Sequence, residues 1–326
     1  MKIEMIEKER EKVLRRKVTF IVTLAICACL FFLLYNALDA WQLIAKMRIK
    51  RLVGLVVVSI SLSVATVIFQ AVTRNRLLSP TVMGFDSMFS LIVTGSVFFL
   101  TSSVVNQIPR SIMFIVQAIL MTIVSVTLFS SFVGKHRNNL YLMILVGMVL
   151  GSFLRSITHM MISIMDPNEY LNVQDAKTAS FAVIDQDSLG ITIIISIIAI
   201  GFIFRKRHIW DVLNLGEDLA TNLGLNYAYE VKYALALSSI LVACSTALVG
   251  PLMFFGLLIA NIASFYLESS RMTYFLPTAA AMGVLVLIGG QAILEHVLKQ
   301  GTVLPVVIEF VGGSLLLIMI IKEAKK

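Results

Sequence analysis

An all-α, polytopic membrane protein of about ten transmembrane helices is the fold class that this sequence predicts, on three observations. Hydrophobic residues make up 58% of the chain and charged residues 14%, with a mean hydropathy of +0.92, far from soluble-domain composition. Apolar runs of about 20 residues, enough to cross a hydrocarbon core of about 30 Å, recur along the chain. Basic residues gather at the ends of those runs, as the positive-inside rule requires. The net charge of +8 is thereby explained by membrane orientation rather than by nucleic acid. No apolar-poor stretch is long enough for a separate soluble core. The chain therefore divides into a cytoplasmic segment, 1–17, and one transmembrane domain, 18–326.

Residues 1–17 alternate basic and acidic side chains ahead of an apolar run, 18–38. That run is too long for a signal h-region and lacks a small-residue cleavage site, so it reads as a retained first helix with the N-terminus inside. Further crossings are expected at 52–73, 85–101, 111–133, 140–164, 189–205, 231–249, 252–268, 274–296 and 305–321. The cytoplasmic joints then hold Arg74 and Arg76, Lys135 and Arg137, Arg205 and Arg207, Arg271, and the tail lysines Lys322, Lys325 and Lys326. An even number of crossings with both termini cytoplasmic follows from this bias. The loop 166–187 falls outside and is acidic, with Asp166, Glu169, Asp175, Asp185 and Asp187 against Lys177. One loop breaks the rule: Lys46, Arg48, Lys50 and Arg51 sit at the outer mouth of the second crossing.

Several chemistries are excluded early. Cys27, Cys29 and Cys244 lie inside apolar runs with no CxxC pair, and read as small core hydrophobes. The carboxylates of the acidic loop are irregularly spaced with no His nearby, which suits a solvated loop better than a metal site. No Ser/His/Asp or Cys/His set is evident, so neither a catalytic residue nor a bound cofactor is expected. The chain has no GxxxxGK[ST] to cradle ATP phosphates. Energy must come from another subunit or from an ion gradient.

Four features are candidates for function. The polar stretch 205–232 interrupts the apolar runs and carries Gly216, Glu217, Ala220, Leu223 and Gly224. Gly216, Ala220 and Gly224 recur at i, i+4 and i+8, which on a short helix is one face of small residues able to enter a partner's groove. An ordinary solvated loop is the other reading of the same spacing. Arg48 and Arg51, three apart at a helix start, can turn two guanidinium forks to carboxylates, or can meet lipid headgroups. The joint 73–84 contains Asn75, Leu77, Pro80 and Gly84, and irregular backbone of this kind is a cytoplasmic turn or a pathway lining. Arg155 and His159, four apart in the fifth crossing, face a polar path or snorkel outward. Gln70, Gln117 and Gln291 read as interhelical hydrogen-bond partners.

The order Arg48-Ile49-Lys50-Arg51, Gln70, then Arg74-Asn75-Arg76-Leu77-Leu78-Ser79-Pro80 and Gly84 resembles the permeases of iron-siderophore and cobalamin ABC importers, whose pattern is approximately RxPR, Q, NPLAxPxxxG. Gly216-Glu217-x-x-Ala220-x-x-Leu223-Gly224, Gly250-Pro251, Phe255-Gly256-Leu257, Leu276-Pro277 and Leu304-Pro305 continue it in order, so the likeness spans almost the whole chain. Lys50 and Arg76 replace prolines of the pattern, Ala260-Asn261 replaces Pro-His, and His296 stands where an Arg is usual.

The resemblance implies a permease subunit of the bacterial cytoplasmic membrane, itself no enzyme, that imports an iron-siderophore complex. It implies a separate ABC ATPase using ATP and gripping a coupling helix at about 206–230, and an extracytoplasmic substrate-binding protein or lipoprotein docked near Arg48, Arg51 and His296. It implies also a second permease, identical or different, and a cytoplasmic constriction at Asn75 and Leu77. The competing class is a secondary transporter driven by an ion gradient, with Arg155, His159, Glu295 and Glu309 as relay candidates. A helix followed by a Pro/Gly joint, at Leu52 to Gly84 and again at Lys232 to Gly256, further suggests an inverted repeat.

Overall fold

A computed structural model of the chain describes residues 2–34, 41–135, 140–181, 184–297 and 304–324. The elements run α1 (Lys2–Leu34), α2 (Trp41–Thr73), α3 (Phe85–Val105), α4 (Arg110–Lys135), α5 (Leu140–Ile164), α6 (Pro167–Lys177), α7 (Gln186–Arg205), α8 (Arg207–Leu213), α9 (Glu217–Asn222), α10 (Tyr227–Val249), α11 (Phe255–Leu267), α12 (Met272–Ala292) and α13 (Leu304–Ala324). A 3-10 turn, Thr81–Met83, precedes α3, and a π-helical segment, Ile293–Val297, follows α12. No strand occurs among the described residues. Among the described residues, eight helices are long and apolar enough to cross a membrane, and Phe255–Leu267 and Leu304–Ile318 are shorter apolar helices. The chain is thus an all-helical, multi-pass membrane protein.

The axis of the bundle is α2. Its apolar span is 78% buried, against 17% for that of α5, because α1, α7, α10, α11 and α12 all pack on it. Lipid gives apolar side chains no reason to prefer protein, so helices in a bilayer close through small residues that admit near backbones. Ser59, Ser61, Ser63 and Thr66 supply that surface and are buried. Facing them, Gly256 of α11 and Gly283 of α12 sit so close that an added Cβ would collide with the side chains of Thr66 and Ser63. On a third side, the Ser61 hydroxyl donates to Ser196 of α7 at 3.0 Å.

Two expectations need adjusting. The run 252–268 is not helical throughout, because Gly250 (φ +90) and Pro251 stop α10 and helix resumes only at Phe255. The 13 residues of α11 rise only about 20 Å. The outer loop 166–187 is not plain loop either: Asp166 caps α6 by accepting from Asn168 N at 2.8 Å, with Pro167 in the first turn. Proline there loses no helical hydrogen bond, so Asp-Pro is a start signal. At the other end, α1 runs unbroken across position 17, where Lys17 Nζ donates to the Tyr266 carbonyl and Tyr266 OH donates to that of Lys17.

Candidate functional site

The joint after α2 is built from hydrogen bonds rather than from regular structure. Arg74 adopts φ +51 and ends the helix, and Asn75 Oδ1 accepts from Leu77 N at 2.8 Å in a two-residue side-chain turn. Gln70 of α2 and Asn261 of α11 both donate to the Arg76 carbonyl, at 2.8 and 3.3 Å. Leu78, Ser79 and Thr81 are buried, and the Thr81 hydroxyl donates to the carbonyl of Met253, in the break before α11. Gly84 (φ +108) then lies against Gly151 of α5, where a Cβ would meet the Gly151 Cα at 3.4 Å. Gly151 is about 16 Å along α5 by helical rise. The joint therefore threads deep into the bundle, which irregular backbone tolerates only where protein or a cavity meets its polar groups. Asn75 and Leu77 are half-buried at its lower end, beside an open cleft lined by Arg76, Asn214, Ser264, Ser269 and Met272.

The segment between α7 and α10 is folded and braced to the chain's own core. Trp210 of α8 is fully buried, donates through Nε1 to the Ile203 carbonyl and stacks on Tyr233. Lys206 pairs with Glu230 at 2.8 Å and lies over the Tyr233 ring at 4.3 Å. Asp211 accepts from Met272 N at 2.7 Å, tying α8 to the start of α12. Burial pushes the Asp211 carboxyl above its ordinary range, against the opposing pull of that bond and of His208 and Arg271.

Within this segment the expected face of small residues is corrected. Ala220 is 0% exposed and belongs to the chain's own core. Gly216 (φ +107) is covered by Arg74, whose Nη1 would stand 2.8 Å from an added Cβ. Helix α9 ends at Asn222, before Gly224. Gly224 (φ +85) instead closes it: its N–H bonds the Thr221 carbonyl and Leu225 N–H bonds that of Ala220, the paired bonds of a left-handed C-terminal cap. What faces outward is Leu215 (53% exposed), Leu219 (53%) and Leu223 (64%), again at i, i+4 and i+8 but one position displaced. The period was legible in the sequence and the face was not, because small residues also serve tight internal contacts.

At the opposite end, Arg51 Nη1 meets Glu295 Oε1 at 2.6 Å, and Gln291 donates to the same carboxylate. Asp185, the cap of α7, accepts from Ser188 N and Oγ, which hold its carboxyl below the usual range, with Lys50 and Arg110 adding to the effect. Part of the basic cluster expected on the outer side is thus matched by this chain's own acids, a local reason for its breach of the charge rule. Arg48 is half-buried, and the side chain of His296 lies outside the described residues.

Arg155 and His159 are exposed on α5 with Ser152, Ser156 and Ser163, a polar stripe at helical spacing that lipid would penalise. Arg155 does not snorkel outward: its Nε donates back to the Gly151 carbonyl, one turn nearer the helix start, at 3.4 Å. Asp86, in the first turn of α3, interacts electrostatically with Arg155 and with Glu309 of α13. An acid inside an apolar run was the available sign of Asp86, and sequence reasoning passed it over.

The sequence model of the FecCD transport family matches residues 18–322. The chain is 36% identical over 309 residues to the petrobactin import system permease protein YclO of Bacillus subtilis (strain 168), covering 95% of this chain and 98% of that protein. It is 32% identical over 280 residues to the petrobactin import system permease protein FatC of Bacillus anthracis, covering 86% and 79%. A solved structure of a metal-chelate type ABC transporter in an inward-facing conformation superposes with TM-score 0.81, covering 95% of this chain and 99% of that one at 19% identity, which is a likeness of fold.

Proposed function

The chain belongs to the FecCD transport family and is a permease subunit of an ATP-driven importer, and from that premise we propose that it carries an iron-siderophore chelate across the bacterial cytoplasmic membrane. Its relatives' names, both petrobactin import permeases, support that cargo class. Ten crossings, the shorter α11 and α13 included, leave both termini in the cytoplasm. A substrate-binding protein docks at the outer mouth near Arg48, Arg51 and His296, where its carboxylates compete with Glu295 for Arg51. The chelate passes beside Arg155 and His159, between this subunit and a second permease, to a constriction at Asn75 and Leu77. The chain binds no cofactor, and a separate ATPase consumes the ATP.

One observation carries the coupling part of this reading. The braced segment α8–α9 turns three leucines outward and at the same time presses Gly216 against Arg74, the first residue of the joint. A partner that seats Leu219 and Leu223 in a groove moves the constriction through that contact, with Glu217 and Ala220 fixing the helix on the chain's own side. Reconstitution with the partner ATPase and binding protein tests it. Uptake of a ferric siderophore should require ATP hydrolysis; uptake driven by a proton or sodium gradient with no ATP present would favour the secondary transporter.

A further inference from the structure

The two breaks in the helical backbone meet inside the bundle, through the bond from Thr81 to the Met253 carbonyl. Asp86, beside the first break, takes part in electrostatic interactions with ionisable side chains of two other helices. Asp86 follows the first break directly, its interaction partner Arg155 belongs to α5, and Glu309, which interacts with Asp86, belongs to α13, whose Gly312 is packed against Phe254 of the second break. At Gly151 the Arg155 side chain comes near the first turn of α3: an added Cβ there would stand 3.4 Å from Gly84 Cα, 3.5 Å from Ser87 Oγ and 3.9 Å from Arg155 Nη2. The guanidinium is thus laid along α5 toward the first turn of α3 instead of toward the outer surface. One oxygen of Asp86, Oδ1, is buried without a hydrogen-bond partner among the described residues.

Charges at membrane depth are held where they face a counter-charge or a wet path. Here Arg155 interacts with Asp86, and the Arg155 side of the pair is exposed along the polar stripe of α5. A guanidinium has five donors in a fixed fork, more than one carboxylate uses, so it can accept a second oxyanion while keeping the first. A transport path also needs its sites to hold cargo weakly enough to release it. A resident carboxylate does this by competing for the same donors.

We propose that Arg155 selects ferric chelates bearing anionic oxygen groups, and that Asp86 is its resident counter-anion, orienting the guanidinium in the empty path and displacing the cargo from it. This rests on the importer reading above. Glu309, a second acid that interacts with Asp86, disfavours a stationary anion there.

The test uses the whole transporter in proteoliposomes with a binding protein that accepts two probes, an anionic ferric tris-catecholate and a neutral ferric tris-hydroxamate. Arg155→Gln should lower uptake of the anionic probe about tenfold, the loss of roughly one charge-assisted hydrogen bond, and leave the neutral probe unchanged. Arg155→Lys should recover part of the loss. Asp86→Asn should leave the anionic probe bound to the purified complex after washing and slow its uptake, again sparing the neutral one. Equal losses for both probes would overturn the assignment in favour of a purely structural arginine, as would unchanged uptake of both. ATPase stimulation by loaded binding protein is read alongside. Its presence with no discrimination between probes sinks only this assignment, whereas its absence in the wild type removes the importer reading and the assignment with it.

Discussion

Arg74 Nη1 stands 2.8 Å from the point a Cβ on Gly216 would occupy, so the end of α2 and the start of α9 touch through a residue that has no side chain. Gly216→Val both fills that space and forces a β-branched residue to φ +107, a backbone that costs an L-residue of order 1–3 kcal/mol. Uptake per ATP hydrolysed should fall severalfold in this variant. Full coupling would show that the contact transmits nothing.

The two faces of α9 give opposite outcomes. Leu219→Asp with Leu223→Asp changes only exposed positions and should leave the thermal transition of the permease in place while the ATPase fails to co-purify. Ala220→Leu overpacks a buried site, which typically costs about 1–3 kcal/mol, and should lower the transition with or without the ATPase. If Ala220→Leu alone abolished association, the small-residue face would be reinstated.

The Arg51–Glu295 pair is 27% exposed on both sides, and pairs so placed contribute about 0–1 kcal/mol. Reversing it, as Arg51→Glu with Glu295→Arg, should therefore leave the fold unaffected and restore the pairing. Uptake should stay low if a docking carboxylate needs the cation at Arg51 itself, and surface-plasmon binding of the substrate-binding protein should weaken in step. Wild-type affinity in the swapped variant would assign the pair to the permease alone.

Close helix packing predicts a graded loss at two glycines. A Cβ on Gly283 would lie 3.0 Å from the Ser59 carbonyl, and one on Gly256 3.1 Å from that of Leu62. Backbone cannot yield as a side chain can, so Gly283→Val and Gly256→Val should each lower membrane yield and melting temperature. At Gly95, where an added Cβ meets nothing within 4 Å, the same substitution should change neither.

Hydropathy and charge made the helices legible, since each long apolar run answers to one physical requirement, the thickness of the hydrocarbon core. Which face of a helix turns inward was less legible. Gly216, Ala220 and Gly224 share a period but serve three contacts: a seat beneath Arg74, a place in the core and a helix cap. Small residues report closeness without saying to what. Arg51 likewise announced an outer cation, and its partner Glu295 lay 244 positions away in sequence (295 minus 51). Sequence separation hides such pairs, and it also hid the electrostatic interaction of Asp86 with Arg155.

The bond between Thr81 and Met253 has a mechanical consequence. It fastens one interruption to the other, so α11 cannot slide past α3 without either breaking that hydrogen bond or taking the neighbouring interruption with it. The two interruptions behave as one hinge with a shared pin, and a pull on the first is felt at the start of the second.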